Sequence, residues 1–429
     1  MDRMPEGLSA PPRLGVFYDE GAAGPGEIAA AARACGVALF LIVDQISPHV
    51  RRLLPGLRNR FDLCDITGLT PEGAEAAVSD RRPDGLVTFS EPCLTTTGRL
   101  AAAAGVRHWH SPRACLALTD KHRQRRALAD AGIDATACAV VRDDTEIARA
   151  VEAVGLPLVL KPCTGTGSSS VRRANSAAEA EAAAREYFRD GTGGAVPLLV
   201  ERLLVGDPGQ AGAAWGDYVS VETAVHDGVC RALCITGKFP LVEPFRERGS
   251  FVPHTLDQPS AAAVNSMAEA AIRALGVRDG IVHTEVKLTA QGPRIIEVNG
   301  RVGGLVADLL RRGAGFDLVE AAMRLALGSP VETAPVFDGV TYQYTLVPPA
   351  DARSLVRVAG IDRLRALPGI DLADVRTTPG QALDWRSGAA GRLGRLYGQV
   401  ADHSELERLA KAIEGAYEPT YVYTEGTEK

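Results

Sequence analysis

Between residues 13 and 110 the apolar positions fall into short runs separated by polar, Gly and Pro breaks. Arg13-Leu-Gly-Val-Phe-Tyr18, residues 39–43 and Gly85-Leu-Val-Thr-Phe89 are strand-length runs rich in β-branched and aromatic side chains, as in strands buried on both faces. The Ala-rich stretch 27–35 between the first two reads as a helix. Strands alternating with helices predict a parallel sheet with crossover helices.

The pattern then changes. Residues 120–132 form a charged helix, with Thr119 or Asp120 at its start and Gly132 as C-cap. A strand at 137–141, a helix at 144–154 stopped by Gly155, and a strand at 158–161 follow. After a Gly/Ser loop come a strand at 171–172, a helix at 177–189 and a strand at 198–201. Residues 217–238 read as an antiparallel pair around His226-Asp-Gly228, and 260–275 as a helix. Strands 281–288 and 294–299 form a hairpin around Ala290-Gln-Gly292, and 316–327 is helical. The last hundred residues show short strands, many glycines and one late helix, 404–414. The expected division is a disordered tail (1–12), an N-terminal α/β domain (13–112), two central units (113–200 and 201–330) and a small C-terminal α+β domain (331–429).

Composition narrows the class. A length of 429 residues fits about three domains. The net charge is −6, and Lys and Arg form no long basic run, which argues against nucleic acid or an acidic membrane as partner. No apolar run is long enough to cross a bilayer, and residues 1–12 lack a signal-peptide core, so a cytoplasmic location is expected. The eight cysteines are scattered without a Cys-x-x-Cys pair, which favours free thiols. Only Cys163 stands inside a segment with candidate chemistry.

That segment is Lys161-Pro-Cys-Thr-Gly-Thr-Gly-Ser-Ser-Ser170. Its glycines let backbone N–H groups approach phosphate oxygens closely, and a lysine stands at the strand end. It lacks the order of a P-loop or of a dinucleotide fingerprint. Taken alone, a phosphate cradle and a flexible connector both fit.

The hairpin is more specific. Side chains two apart share a face, so Glu285 lies with His283 and Lys287, and Glu297 with Ile295 and Asn299. If the turn centres on Gln291, Glu285 sits opposite Glu297. Two such carboxylates repel each other, and a hard cation reverses the sign. Mg²⁺ takes one or two carboxylates with phosphate oxygens and water; Asn299 adds a neutral oxygen. Arg301 follows at the same parity. A solvated polar face is the competing reading, but Ile295, Ile296 and Val298 make the strand apolar, and burying unpaired carboxylates is costly.

Taken in order, Lys121, Lys161 with its Gly/Ser loop, Leu199-Val-Glu201, Lys238 in Ile235-Thr-Gly-Lys238, Glu285 and Glu297-x-Asn299-x-Arg301 resemble the ATP-grasp superfamily. The closer resemblance is to its carboxylate–amine ligases, the L-amino acid ligase and dipeptide synthetase group. The resemblance implies an α/β and α+β ATP-grasp fold: an N-terminal parallel-sheet domain, a lid unit (113–200), a catalytic unit (201–330) and a small C-terminal α+β domain. It implies ATP and Mg²⁺, with two ions and Mn²⁺ as a substitute, and small-molecule carboxylate and amine substrates joined through an acyl phosphate. It also implies a homodimer.

Residue by residue, the resemblance gives Lys121 and Lys161 to the nucleotide phosphates and Thr166, Gly167, Ser168 and Ser169 to a closing lid. Glu201, Arg202 and Leu204 receive adenine. Asp217 is the ribose candidate, displaced from the usual spacing by a stretch that reads as an insertion, 207–216. Lys238 faces nucleotide or ends a strand. Glu285, Glu297 and Asn299 hold metal, and Arg301 and Lys287 are the catalytic cations. His283 is a substrate contact or a structural histidine. Gly303 and Gly304 face substrate or open the next helix, whose Asp308, Arg311 and Arg312 form a solvated face. Loops 243–255, with Arg246, Glu247, Arg248 and His254, and 300–312 are the expected substrate walls. The alternatives are a carboxylase or purine-pathway type of ATP-grasp enzyme, although no biotin-carrier Met-Lys segment is present, and a non-catalytic nucleotide-binding regulator.

Overall fold

The computed structural model describes residues 10–107, 109–189 and 196–423. Most of the expected tail, 1–9, lies outside the described residues. The first sheet contains β1 (Arg13–Phe17), β2 (Ala38–Val43), β3 (Asp62–Asp65) and β4 (Gly85–Thr88) in the parallel order β3-β2-β1-β4. β1, β2 and β4 read as apolar runs because both faces of the sheet are covered. Leu14, Val16, Leu41 and Val43 enter one core, while Phe17, Phe40 and Ile42 enter another. The sequence pattern missed β3 and the helices Pro48–Arg58 and Pro71–Ser79. Their signal is local and short: Ser47 and Thr70 each cap a helix whose first residue is proline.

The second sheet holds β5 (Cys138–Val141), β6 (Leu158–Pro162), β7 (Arg172–Ala174) and β8 (Leu198–Arg202), all antiparallel, in the order β5-β8-β6-β7. Helices Ile147–Val154 and Ala177–Arg189 pack on one face through Leu158, Leu160, Ala180, Ala184, Leu198 and Val200. Alternation turns Val159, Lys161 and Glu201 to the other face, where they border a cleft.

The third sheet has eight strands. It contains β9 (Tyr218–His226), β10 (Val229–Lys238), β11 (Gly249–Val252), β12 (Gly280–Thr289), β13 (Gly292–Asn299) and β14 (Val340–Leu346). Beyond β15 (Ala352–Ala359), β16 (Leu372–Val375) and β17 (Gly394–Val400) complete it, in the order β13-β12-β9-β10-β11-β14-β17-β16. β15 pairs separately with β18 (Glu418–Tyr423). The C-terminal segment is thus joined to the segment 201–330 by main-chain hydrogen bonds as well as by a shared core containing Phe251, Tyr342, Leu396 and Leu409. The expected loop 243–255 is partly strand, because β11 bridges β10 to β14. All eight cysteines are free thiols. Among the described residues no helix is long and apolar enough to cross a membrane.

Candidate active site

The cleft lies between the second sheet and the β12–β13 hairpin and encloses about 330 Å³. Lys121, Lys161, loop 164–170, Leu203 and Leu204 border it on one side, and Glu285, Lys287, Glu297, Asn299 and Arg301 on the other. It therefore gathers residues from widely separated segments.

Glu285 does lie opposite Glu297, and His283 opposite Asn299. The route differs from the one expected. Thr289 pairs with Gly292 across a two-residue turn, and Val286 still pairs with Ile295, a register that puts Glu285 opposite Ile296. A β-bulge after Ile295 inserts one residue and moves Glu297 into that place. The bulge also leaves Ile296 and Glu297 both bordering the cleft, apolar beside charged.

β13 is an edge strand, and the charged helix Lys121–Asp130 covers its edge. Gln124 donates to the Val298 carbonyl and accepts from the Val298 N–H, both at 2.8 Å. The Arg125 guanidinium donates to the carbonyls of Ile295 and Ile296 at 2.6 and 3.0 Å. Asp134 accepts the Ile295 N–H at 3.0 Å. These bonds bring the helix's first residue to the metal candidates: Lys121 Nζ lies 2.9 Å from Glu297 and donates to the Gly165 carbonyl at 2.7 Å. Lys121 thus links the Gly/Ser loop to β13. Burial opposes its charge, but Glu297 and Glu91 raise its pKa above the usual lysine value.

Glu201 is 5% exposed and pairs with Arg125 at 2.9 Å and Lys161 at 2.6 Å. Burial pushes its pKa up, yet the charges and hydrogen bonds of those two cations outweigh it and hold it at about 2. Its carboxylate is therefore committed to fixing Lys161 at the cleft. Glu285 is held down to about 2 in the same manner, burial being overcome by the His283 hydrogen bond and by the charges of His283, Lys238 and Arg301.

Several expected site residues do not border the cleft. Arg202 is exposed, with its guanidinium beside Gly155. Asp217 pairs with Lys287 at 2.6 Å, and that lysine faces the cleft in its stead. Lys238 is buried against Glu247 at 3.1 Å and over the Tyr218 ring. His283 bonds through Nδ1 to Glu222, with Nε2 3.5 Å from Glu285. Burial lowers its pKa, but Glu222 raises it to about 9, so the imidazolium bridges two carboxylates. Gly303 donates its N–H to Glu222 at 3.2 Å, and a Cβ there would meet His283 at 2.4 Å. Gly304 has open space at its Cβ position. Of the expected loop residues, Glu247 borders the cleft, Arg246 is buried on the carbonyls of Glu243 and Pro348, Arg248 pairs with Glu414, and His254 accepts the Leu256 N–H. In the next helix Asp308 pairs with Arg312, and Arg311 with Glu27 and Asp317.

Sequence reasoning missed Glu91, Glu222, Arg125 and Phe245. Glu91 is 6% exposed and lies 2.8 Å from Arg301, an ionic contact that is not a well-aligned hydrogen bond. Burial raises its pKa, partly offset by Arg301. Its signal was available: an acid just past the C-terminal end of a parallel strand, where open α/β sheets bind ligands. Phe245 borders the cleft at φ 67°, which nothing local announces.

Among the described residues no group of three His, Cys, Asp or Glu side chains is placed to hold a metal. Two opposed carboxylates with Asn299 beside them nevertheless fit Mg²⁺, which completes its shell from phosphate oxygens and water. Glu297 already holds a cation, the Lys121 ammonium.

A lid sheet closing a Gly/Ser loop over a carboxylate-bearing hairpin defines the ATP-grasp fold, and the chain has it. The crystal structure of an L-amino acid ligase from Bacillus licheniformis matches 97% of this chain and 100% of its own, with a TM-score of 0.77 at 18% identity. No family model matches. Among sequence relatives, carnosine synthase 1 of Mus musculus is 27% identical over 57% of this chain and 31% of its own length. An L-arginine-specific L-amino acid ligase of Bacillus subtilis is 22% identical over 78% of this chain and 79% of its own. The chain spans about a third of the carnosine synthase. The chain thus shares its fold with this L-amino acid ligase and is similar in sequence to carnosine synthase and to an L-amino acid ligase.

Proposed function

We propose that the chain is an ATP-dependent ligase that joins an amino acid or related small carboxylate to an amine, releasing ADP and phosphate. The supporting observation is the convergence in one cleft of Glu285 and Glu297, opposed in register, with Asn299, Arg301, Lys121, Lys161 and the Gly/Ser loop. The relatives named carnosine synthase and L-amino acid ligase favour this reading over a carboxylase or a purine-pathway enzyme.

The chemistry requires charge neutralisation and positioning more than covalent help. Lys121 and Lys161 hold the nucleotide phosphates. Glu201 takes one of the three N–H donors of Lys161 and aims the rest. The adenine lies against Leu204, Leu203 and Ile296. The substrate carboxylate attacks the γ-phosphorus, the bond to ADP breaks, and an acyl phosphate forms. The amine nitrogen then attacks the acyl carbon, and phosphate leaves. Arg301, anchored by Glu91, and Lys287, anchored by Asp217, balance the charge that develops. Loop 164–170 keeps water from the acyl phosphate. Glu285, Glu297 and Asn299 are the residues to hold Mg²⁺, which when bound supplies further neutralisation of the triphosphate. Two ions, replaceable by Mn²⁺, and a cytoplasmic homodimer complete the reading.

The test is phosphate release across a matrix of amino acids and amines. Glu297→Gln should lower Mg²⁺-dependent turnover by about 100-fold, with the folded state retained. Turnover at the native rate in that variant sinks the metal assignment. Nucleotide binding without turnover on any pair favours a regulator.

A further inference from the structure

The phosphate-facing loop carries backbone that the loop alone does not stabilise. Gly167, Ser168 and Ser170 have φ values of 67°, 55° and 57°, and a left-handed serine persists only where its surroundings over-determine it. Those surroundings come from the far end of the chain. The segment Trp385–Gly391 lies on the loop. Ala389 donates its N–H to the Gly167 carbonyl at 3.0 Å, and Ser169 Oγ donates to the Arg386 carbonyl at 2.8 Å. Gly388, at φ 54°, sits so close that a Cβ would lie 2.1 Å from the Gly167 oxygen and 3.0 Å from the Ser169 nitrogen. Ala389 itself borders the cleft beside Gly167.

The same segment grips the lid sheet and its helix. Arg386 pairs with Glu186 on helix Ala177–Arg189. Arg172 of β7 pairs with Glu186 at 2.7 Å and lies over the Trp385 ring at 4.5 Å. Both flanks are anchored away from the lid: Leu383 N–H donates to the Arg353 carbonyl and Leu393 N–H to the Leu346 carbonyl, each at 2.8 Å. The segment is a strap with fixed ends whose middle touches the loop, β7 and the lid helix.

We propose that the strap Trp385–Gly391 is a positioning element that latches the 164–170 loop over the nucleotide cleft, so that nucleotide leaves only when the strap lets go. The inference rests on reading the cleft as a nucleotide site, and its test separates the two. Two variants are compared with the native chain: Gly388→Ala, which forces a Cβ against the Gly167 carbonyl, and Arg386→Ala, which removes the tie to Glu186. Amide hydrogen exchange of 164–170, measured without nucleotide, should quicken about tenfold in both, while β12 and β13 keep their native protection. A fluorescent ATP analogue should dissociate about tenfold faster from both. Native exchange rates in the loop overturn the latch, and so does faster exchange with native dissociation. If the native chain binds no analogue, the nucleotide reading falls and the exchange measurement alone decides the latch. If Gly388→Ala fails to fold by circular dichroism, Arg386→Ala decides it.

Discussion

Arg125 shows how much one side chain can decide. It is 3% exposed, neutralises Glu201 and satisfies two carbonyls of the bulged strand. Arg125→Met should lower unfolding free energy by about 3–5 kcal/mol, read by urea denaturation, because it leaves a buried carboxylate with one cation and two carbonyls without donors. Arg125→Lys should recover only part, since an ammonium does not reproduce the fork. Asp134 gives a pH signature. Burial opposes its charge, but hydrogen bonds from Arg294 and Thr136 lower its pKa from 3.8 to about 2. A depressed carboxylate stabilises the fold above its unfolded pKa, and that contribution fades as pH falls through the folded value. The native chain should therefore exceed Asp134→Asn by about 2 kcal/mol at pH 7, and the gap should close between about pH 4 and pH 2. Glu285, Glu297 and Asn299 were legible as residues because carboxylates alternating within an apolar strand need a reason. Glu222 was not, since its partner His283 lies on another strand and no local period marks it.

Among the elements, the β12–β13 hairpin and the loop after it hold the site. The loop sits tightly on the Glu222–His283 pair, and Gly303 is what lets it. Gly303→Ala should cost about 1–3 kcal/mol of stability from overpacking and, by displacing Arg301, reduce turnover more than nucleotide affinity. Gly304→Ala, with open space at its Cβ, should stay within about 0.5 kcal/mol of native. Thermal denaturation with steady-state kinetics on both variants checks the contrast. The hairpin itself was visible as two alternating strands, whereas its register was not. A bulge has no period, so symmetric counting reached the Glu285–Glu297 pair through the wrong turn centre. The charged helix Lys121–Asp130 was likewise placed correctly, but its work in covering the edge of β13 shows only against the strand it covers.

At the scale of the molecule, the C-terminal hundred residues complete the eight-stranded sheet. A chain ending at residue 335 loses β14, β16 and β17 and exposes β11 as an unpaired edge. It should be insoluble or molten by near-ultraviolet circular dichroism, where an independently folding C-terminal domain would leave the remainder native. The sequence by itself determined the strand and helix alternation, the lysines, the Gly/Ser loop and the opposed carboxylates, because periodicity and residue chemistry are local signals. Only the tertiary structure decided the bulged register, the pairing of Arg301 with Glu91, the commitment of Glu201 to Arg125 and Lys161, and the strap on the loop. These contacts join segments as far apart as Gly167 and Ala389, and packing at that separation leaves no trace in the spacing of residues along the chain.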